Sequence, residues 1–251
     1  MSAFYTLLYK EVLRFWKVSL QTIVAPMVTA LLYLVIFGSA LQKHMQVYPG
    51  VSYTHFLIPG LIMMSVLQNA FANSATSLIQ SKLNGNLVFV LMAPLGAWEI
   101  FGAYVLASVA RGACVGLSVY LATVWFFPFG IAAPLYSAAF ILIGATLLGT
   151  LGLIAGIYAE KFDQMMSFQN FLIAPLTLLA GVFYSIHSLP PLWHAVSRLN
   201  PFFYLIDGFR YGFFGISDLA PITSLIITGA CCAALACLAL RLLSSGYKLR
   251  N

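Results

Sequence analysis

The stretch Phe171–Gly215, FLIAPLTLLAGVFYSIHSLPPLWHAVSRLNPFFYLIDGFRYGFFG, decides the architecture. Its first part is apolar enough for a membrane span. Its second part is nearly as apolar but is cut into short pieces. Pro190 and Pro191 open a helix, because proline is tolerated in the first turn. Leu192, Trp193, Val196 and Leu199 then recur at helical spacing. Asn200-Pro201 ends that piece and caps the next, which carries Phe202, Leu205, Ile206 and Phe209 on one face. Each piece is about 10 to 14 residues, or roughly 15–20 Å of helix. Neither crosses a hydrocarbon core of about 30 Å. The predicted geometry is a pair of half-helices, about 189–213, that dips into the outer leaflet and returns. Irregular backbone at that depth survives only where protein or a water-filled cavity covers it. Such a device points to a transporter subunit.

Composition places the whole chain in a membrane. Of 251 residues, 62% are hydrophobic and 7% charged, against about 25% charged in soluble domains. One transmembrane unit, 18–251, accounts for the chain after a short N-terminal helix. Six spans are predicted, near 18–41, 56–79, 100–127, 135–159, 165–186 and 220–243. The first is too long for a signal-peptide core of about 7–15 residues. Placing the N-terminus inside puts Lys10, Arg14, Lys17, Lys82, Lys161, Arg241, Lys248 and Arg250 in the cytoplasm. It leaves Lys43, Arg198 and Arg210 outside. That asymmetry satisfies the positive-inside rule, with both termini cytoplasmic. The basic residues cluster at the ends of apolar runs, which suits topology and excludes nucleic acid as the natural partner.

Residues 1–17 read as an interfacial elbow helix. Lys10, Arg14 and Lys17 share one face, and Phe4, Leu8, Val12 and Phe15 another. The inner loop 80–99 is short and apolar. Asn84 or Asn86 can cap a short helix, about 84–93, that Pro94 ends. Leu87, Val90 and Leu91 would form its apolar face, which either sinks half into lipid or, as exposed apolar patches do, marks a partner surface. The second inner loop, Glu160-Lys161-Phe162-Asp163, fits a solvated turn or a further contact.

No motif supplies an engine. The chain has no G-x-x-x-x-G-K-[ST] loop, no H-E-x-x-H and no G-x-S-x-G. Glu99, Asp163, Asp207 and Asp218 lie near span edges or in the outer segment, away from the midplane where ion-coupled carriers keep a carboxylate. His44, His55, His187 and His194 fall on the outer side without metal-ligand spacing. Cys114, Cys231, Cys232 and Cys237 lie inside apolar runs and read as small hydrophobes. No metal is expected, and energy is expected from another chain.

Polar residues within the spans are fewer and more telling. Gln68, Asn69, Asn73 and Ser77 form a stripe on the second span. Asn170 and Thr177 are seven apart on the fifth. Amides in a bilayer turn toward other helices or a cavity. The stripe therefore packs helices or lines a path. Arg111 lies roughly 18 Å into the third span, where an unpaired charge costs at least about 2.5 kcal/mol. It is either anchored by a carbonyl or carboxylate, or it meets an anionic substrate.

Further residues carry a resemblance. Ala174-Pro175, Gly181-Val182-Phe183-Tyr184-Ser185, Leu189-Pro190-Pro191, Leu199-Asn200-Pro201 and Gly208-Phe209-Arg210-Tyr211-Gly212 resemble the C-terminal signature of the ABC type-2 permeases. Pro59-Gly60-Leu61-Ile62-Met63 and Ala93-Pro94 fit the same pattern earlier in the chain. These are membrane subunits of bacterial drug, polysaccharide and nodulation-factor exporters. The resemblance implies an all-α polytopic protein of the bacterial inner membrane. It implies a second copy of the chain, two ABC ATPase subunits, and ATP and Mg bound by those subunits alone. It also implies a coupling role for Leu87, Val90 and Leu91, and a substrate path along Gln68, Asn69, Asn73, Ser77, Asn170 and Thr177. Pro190, Pro191, Asn200 and Pro201 would shape an outer gate. Rivals are a secondary carrier, which needs an intramembrane carboxylate, and a membrane scaffold, which gives no reason for the apolar inner loop.

Overall fold

The computed structural model describes residues 2–41, 47–48, 50–246 and 248. Lys43, His44 and Arg250, each assigned a side of the membrane from sequence, lie outside the described residues. In chain order the helices are α1 (Ala3–Trp16), α2 (Ser19–Leu41), α3 (Tyr53–Leu83), α4 (Leu87–Met92), α5 (Ala97–Phe126) and α6 (Pro134–Tyr158). They continue with α7 (Phe162–Phe168), α8 (Ala174–Leu178), α9 (Pro191–Leu199), α10 (Pro201–Phe214) and α11 (Pro221–Ser245). The fold is all-helical, with no strand among the described residues.

Five helices, α2, α3, α5, α6 and α11, are long and apolar enough to cross a membrane. Their bounds lie within a few residues of five predicted spans. The remaining predicted span, 165–186, is not one continuous α-helix. α7 runs into a π-helical turn, Gln169–Ile173, and then α8, which stops at Leu178. Pro175 explains the turn, since it has no N–H to donate and its ring displaces the carbonyl one turn earlier. The backbone then breaks at Gly181, whose φ of 77° suits glycine. The helical run measures about 25 Å, short of the apolar stretch that the sequence offers.

Burial separates the centre from the rim. The most apolar stretches of α3 and α6 are each 67% buried, those of α2 and α11 only 17% and 11%. α3 and α6 therefore form the axis, while α2 and α11 present apolar flanks to lipid or to another chain. The axis is tight because Gly152 of α6 sits against the backbone carbonyl of Phe71, where any Cβ would overlap it. α5 and α10 complete the packing around this axis. One cluster, including Phe56, Phe71, Phe140 and Phe209, fills the middle. A second, built on Leu7, Leu87, Tyr104 and Leu153, lies near α1 and α4.

Candidate functional site

The polar stripe of α3 is a seam closed by two neighbouring helices. Asn73 and Ser77 are fully or almost fully buried. Arg14 reaches in from α1 and its Nη2 donates to the Asn73 carbonyl at 2.7 Å and to Asn73 Oδ1 at 2.9 Å. Its Nη1 donates to Thr76 Oγ1 at 3.2 Å. On the other side, Asn73 Nδ2 donates to Ser108 Oγ of α5 at 3.3 Å, and Ser108 and Ser74 share a 2.6 Å hydroxyl contact. The Ser77 hydroxyl donates to the Glu11 carboxylate.

Glu11 has no side-chain exposure, and its counter-ions are Lys10 at 3.2 Å and Arg14 at 3.5 Å. A buried carboxylate survives only with such partners. Helix α1 is thus latched to α3 by charge as well as by Leu7 and Phe15, which are buried. The sequence groups Arg14 with Lys10 and Lys17 on one basic face, whereas the structure turns Arg14 toward α3. The inward face of α1 is Leu7, Glu11 and Phe15, with Arg14 beside it. The available signal was the pair Glu11 and Arg14, three residues apart, opposite a stripe of unsatisfied amides and hydroxyls.

The Gln68–Asn69 end of the stripe is more open. Gln68 and Asn69 line a cleft of about 240 Å³ between α2 and α3, together with Pro26, Thr29, Tyr33 and Met64. Arg111 Nη2 donates to Asn69 Oδ1 at 3.1 Å. Asn170 and Thr177 do not join this cleft or each other. Asn170 is exposed and Thr177 fully buried, its hydroxyl donating to the Ile173 carbonyl at 2.6 Å. Seven residues of regular helix would align them. The π-turn between them adds a residue, about 100° of rotation.

Helix α4 also reverses an expectation. Leu87 is buried, and Val90 and Leu91 turn into the cluster that holds Leu7 and Tyr104. The outward apolar face is Val88, Phe89 and Met92, 55%, 73% and 78% exposed. Spacing alone could not choose, because every residue of LVFVLM is apolar. Asn86 occupies the cap position without a side-chain cap bond, and Asn84 ends α3 instead.

The α9–α10 hairpin is a clasp of named polar groups. Pro190 precedes α9, and Pro191 and Pro201 open α9 and α10. Asn200 Oδ1 accepts the Phe202 N–H at 3.0 Å, and its Nδ2 donates to the Leu176 carbonyl at 2.6 Å, pinning the bend to α8. Asp207, fully buried, accepts the N–H groups of Asp218 and Leu219. Asp218 accepts from Tyr48, Ser185 and the Ile186 N–H. Arg210 donates to the Gly181 carbonyl at 2.8 Å and lies 3.9 Å over the Phe56 ring. The sequence offered these residues only as charges in an outer segment. Among the described residues no group of three metal-capable side chains gathers.

Comparison with known proteins adds ancestry to this geometry. Residues 2–214 match the family model described as ABC-2 type transporter. The chain is 41% identical over 215 residues to the inner membrane transport permease YadH of Escherichia coli K12, covering 86% of this chain and 84% of that one. It is 25% identical over 200 residues to Nodulation protein J of Rhizobium meliloti, covering 77% and 74%. A probable multidrug ABC transporter permease, YbhR of Escherichia coli K12, is 22% identical over 161 residues, 63% of this chain and 44% of its own.

Proposed function

Since this chain belongs to the ABC-2 type transporter family, we propose that it is the permease subunit of an ATP-driven exporter in the bacterial inner membrane. Its cargo is an amphiphile of lipid, glycan or drug type. The observation that carries the reading is α4, a six-residue helix with Val88, Phe89 and Met92 exposed on its outer face. Side chains of that kind, clustered at the end of the α3–α5 hairpin, fit a groove on a protein partner. The partner is an ABC ATPase that binds ATP and Mg. Two copies of the permease and two ATPase chains make the working unit. The α7–α8 run makes the sixth crossing, so both termini are cytoplasmic; α1 lies along the inner surface, and the α9–α10 hairpin dips into the outer leaflet as a gate.

In this scheme ATP-driven approach of the two ATPases moves α4. The α4 cluster is continuous with α1 and the inner ends of α5 and α6. The Glu11–Arg14 latch passes that motion to α3, whose outer stripe at Gln68 and Asn69 faces the cargo. The buried Asn73 and Ser77 hold the latch, so their part in the path is indirect. The test is co-purification with the cognate ATPase. The permease alone should hydrolyse no ATP, and the complex should do so at a rate that depends on the permease. Reporter fusions should read inside at Gly85 and outside at Ser188. An outside reading at Gly85, or a complex that never forms, would defeat the assignment.

A further inference from the structure

Arg111 and Asn69 meet midway along two helices long and apolar enough to cross a membrane. Arg111 stands about 21 Å from either end of α5, and Asn69 about 21–24 Å from either end of α3. A guanidinium there requires compensation. Its described hydrogen bond is the one to Asn69, and its Nε is buried without a partner.

No carboxylate of this chain supplies the compensation. All six acidic residues are described. Glu11 is held by Lys10, Arg14 and Ser77, and Glu160 by Lys248. Glu99 caps α5 through the Gly96 N–H. Asp207 and Asp218 are engaged in the outer clasp, and Asp163 is exposed in the first turn of α7. The nearest charge along the seam is Arg14, bonded to Asn73 one turn from Asn69, which adds to the positive field. Lys10, Arg14 and Arg111 outnumber Glu11. Asn69 and Gln68 connect this field to the α2–α3 cleft.

We infer that Arg111, with Asn69 and Gln68, is a binding station for the anionic headgroup of an amphiphile, a phosphate, sulfate or carboxylate carried on an apolar tail. The chemistry matches both parts. Guanidinium binds such oxyanions through paired N–H groups. Tyr33, Leu61 and Met64 on the cleft wall suit a tail. The station's place in a transport path rests on the exporter reading, whereas the binding itself is a property of the permease alone.

The experiment uses the purified full-length permease in a neutral detergent, without ATPase. It is offered equimolar phosphatidylglycerol and phosphatidylcholine with identical acyl chains, and bound lipid is counted by native mass spectrometry. Wild type should retain the anionic lipid about tenfold more than the zwitterionic one. Arg111→Gln should abolish that preference, and Arg111→Lys should keep part of it. Lys17→Gln, which removes an exposed surface charge, should leave it intact. Arg111→Gln should also melt no lower than wild type, because it removes an uncompensated charge. A lower melt with the lipid preference intact would make Arg111 a structural anchor and overturn the inference. Equal loss of preference in Lys17→Gln would assign the lipid to the protein surface and overturn it too. A third arm adds millimolar inorganic phosphate. If phosphate displaces the lipid from wild type, a small soluble anion satisfies the station and the amphiphile assignment fails. Because no arm involves transport or ATP, each of these failures is separate from failure of the exporter reading.

Discussion

Arg14→Met tests whether α1 is part of the core or merely rests on it. The substitution keeps much of the aliphatic stem and removes the guanidinium. It leaves Glu11 with no side-chain exposure and only Ser77 and the half-exposed Lys10 as partners. It also strips the Asn73 carbonyl, Asn73 Oδ1 and Thr76 of a donor. Breaking a buried pair from one side costs about 3–5 kcal/mol. Arg14 retains 22% exposure, so the lower end, about 3 kcal/mol, is expected. For a chain of this size that is roughly a 6–12 °C fall in Tm. Glu11→Gln should cost about 1 kcal/mol, because the amide still accepts from Ser77 and Arg14 keeps Asn73. The double variant should then be less damaged than the sum of the two by about 1–2 kcal/mol, since the charge left behind is gone. Thermal unfolding in a mild detergent, followed by size-exclusion fluorescence, reads all four proteins. A Tm for Arg14→Met within about 2 °C of wild type, or strict additivity in the cycle, would refute the latch.

Three further outcomes follow from other parts of the fold. Phe89→Asp should melt like wild type yet lose about tenfold in recovered ATPase, whereas Leu87→Asp should damage the fold itself by burying an unpaired charge; equal ATPase recovery with Phe89→Asp would remove α4 as the coupling element. Gly152→Ala should cost about 1–3 kcal/mol by pushing α6 off the Phe71 backbone, read as a Tm loss that Gly229→Ala, which meets open space, does not share. Asp207→Ala should leave the Asp218 and Leu219 N–H groups without their acceptor, a loss of about 1–3 kcal/mol read as faster hydrogen exchange at those two amides; unchanged exchange there would remove Asp207 from the clasp.

Hydropathy and charge in the sequence determined that the protein is helical and membrane-spanning, and they placed five long helices within a few residues. That follows from the bilayer, which demands long apolar segments with internally bonded backbones and so writes them openly in composition. Pro190, Pro191, Asn200 and Pro201 likewise marked the boundaries of α9 and α10, because proline and cap residues act on their own backbone. Tertiary structure decided which faces meet. In α4 every side chain is apolar, so only the cluster beneath it could turn Leu87, Val90 and Leu91 inward and leave Val88, Phe89 and Met92 outside. Between Asn170 and Thr177 the π-turn broke a periodicity that spacing assumed. Arg14 read as one of a basic face with Lys10 and Lys17 until α3 offered Asn73, Thr76 and Ser77 opposite it and Glu11. The physical reason is common to all three. Local sequence sets the backbone, but a buried charge or an apolar side chain takes its meaning from the neighbour that replaces water around it.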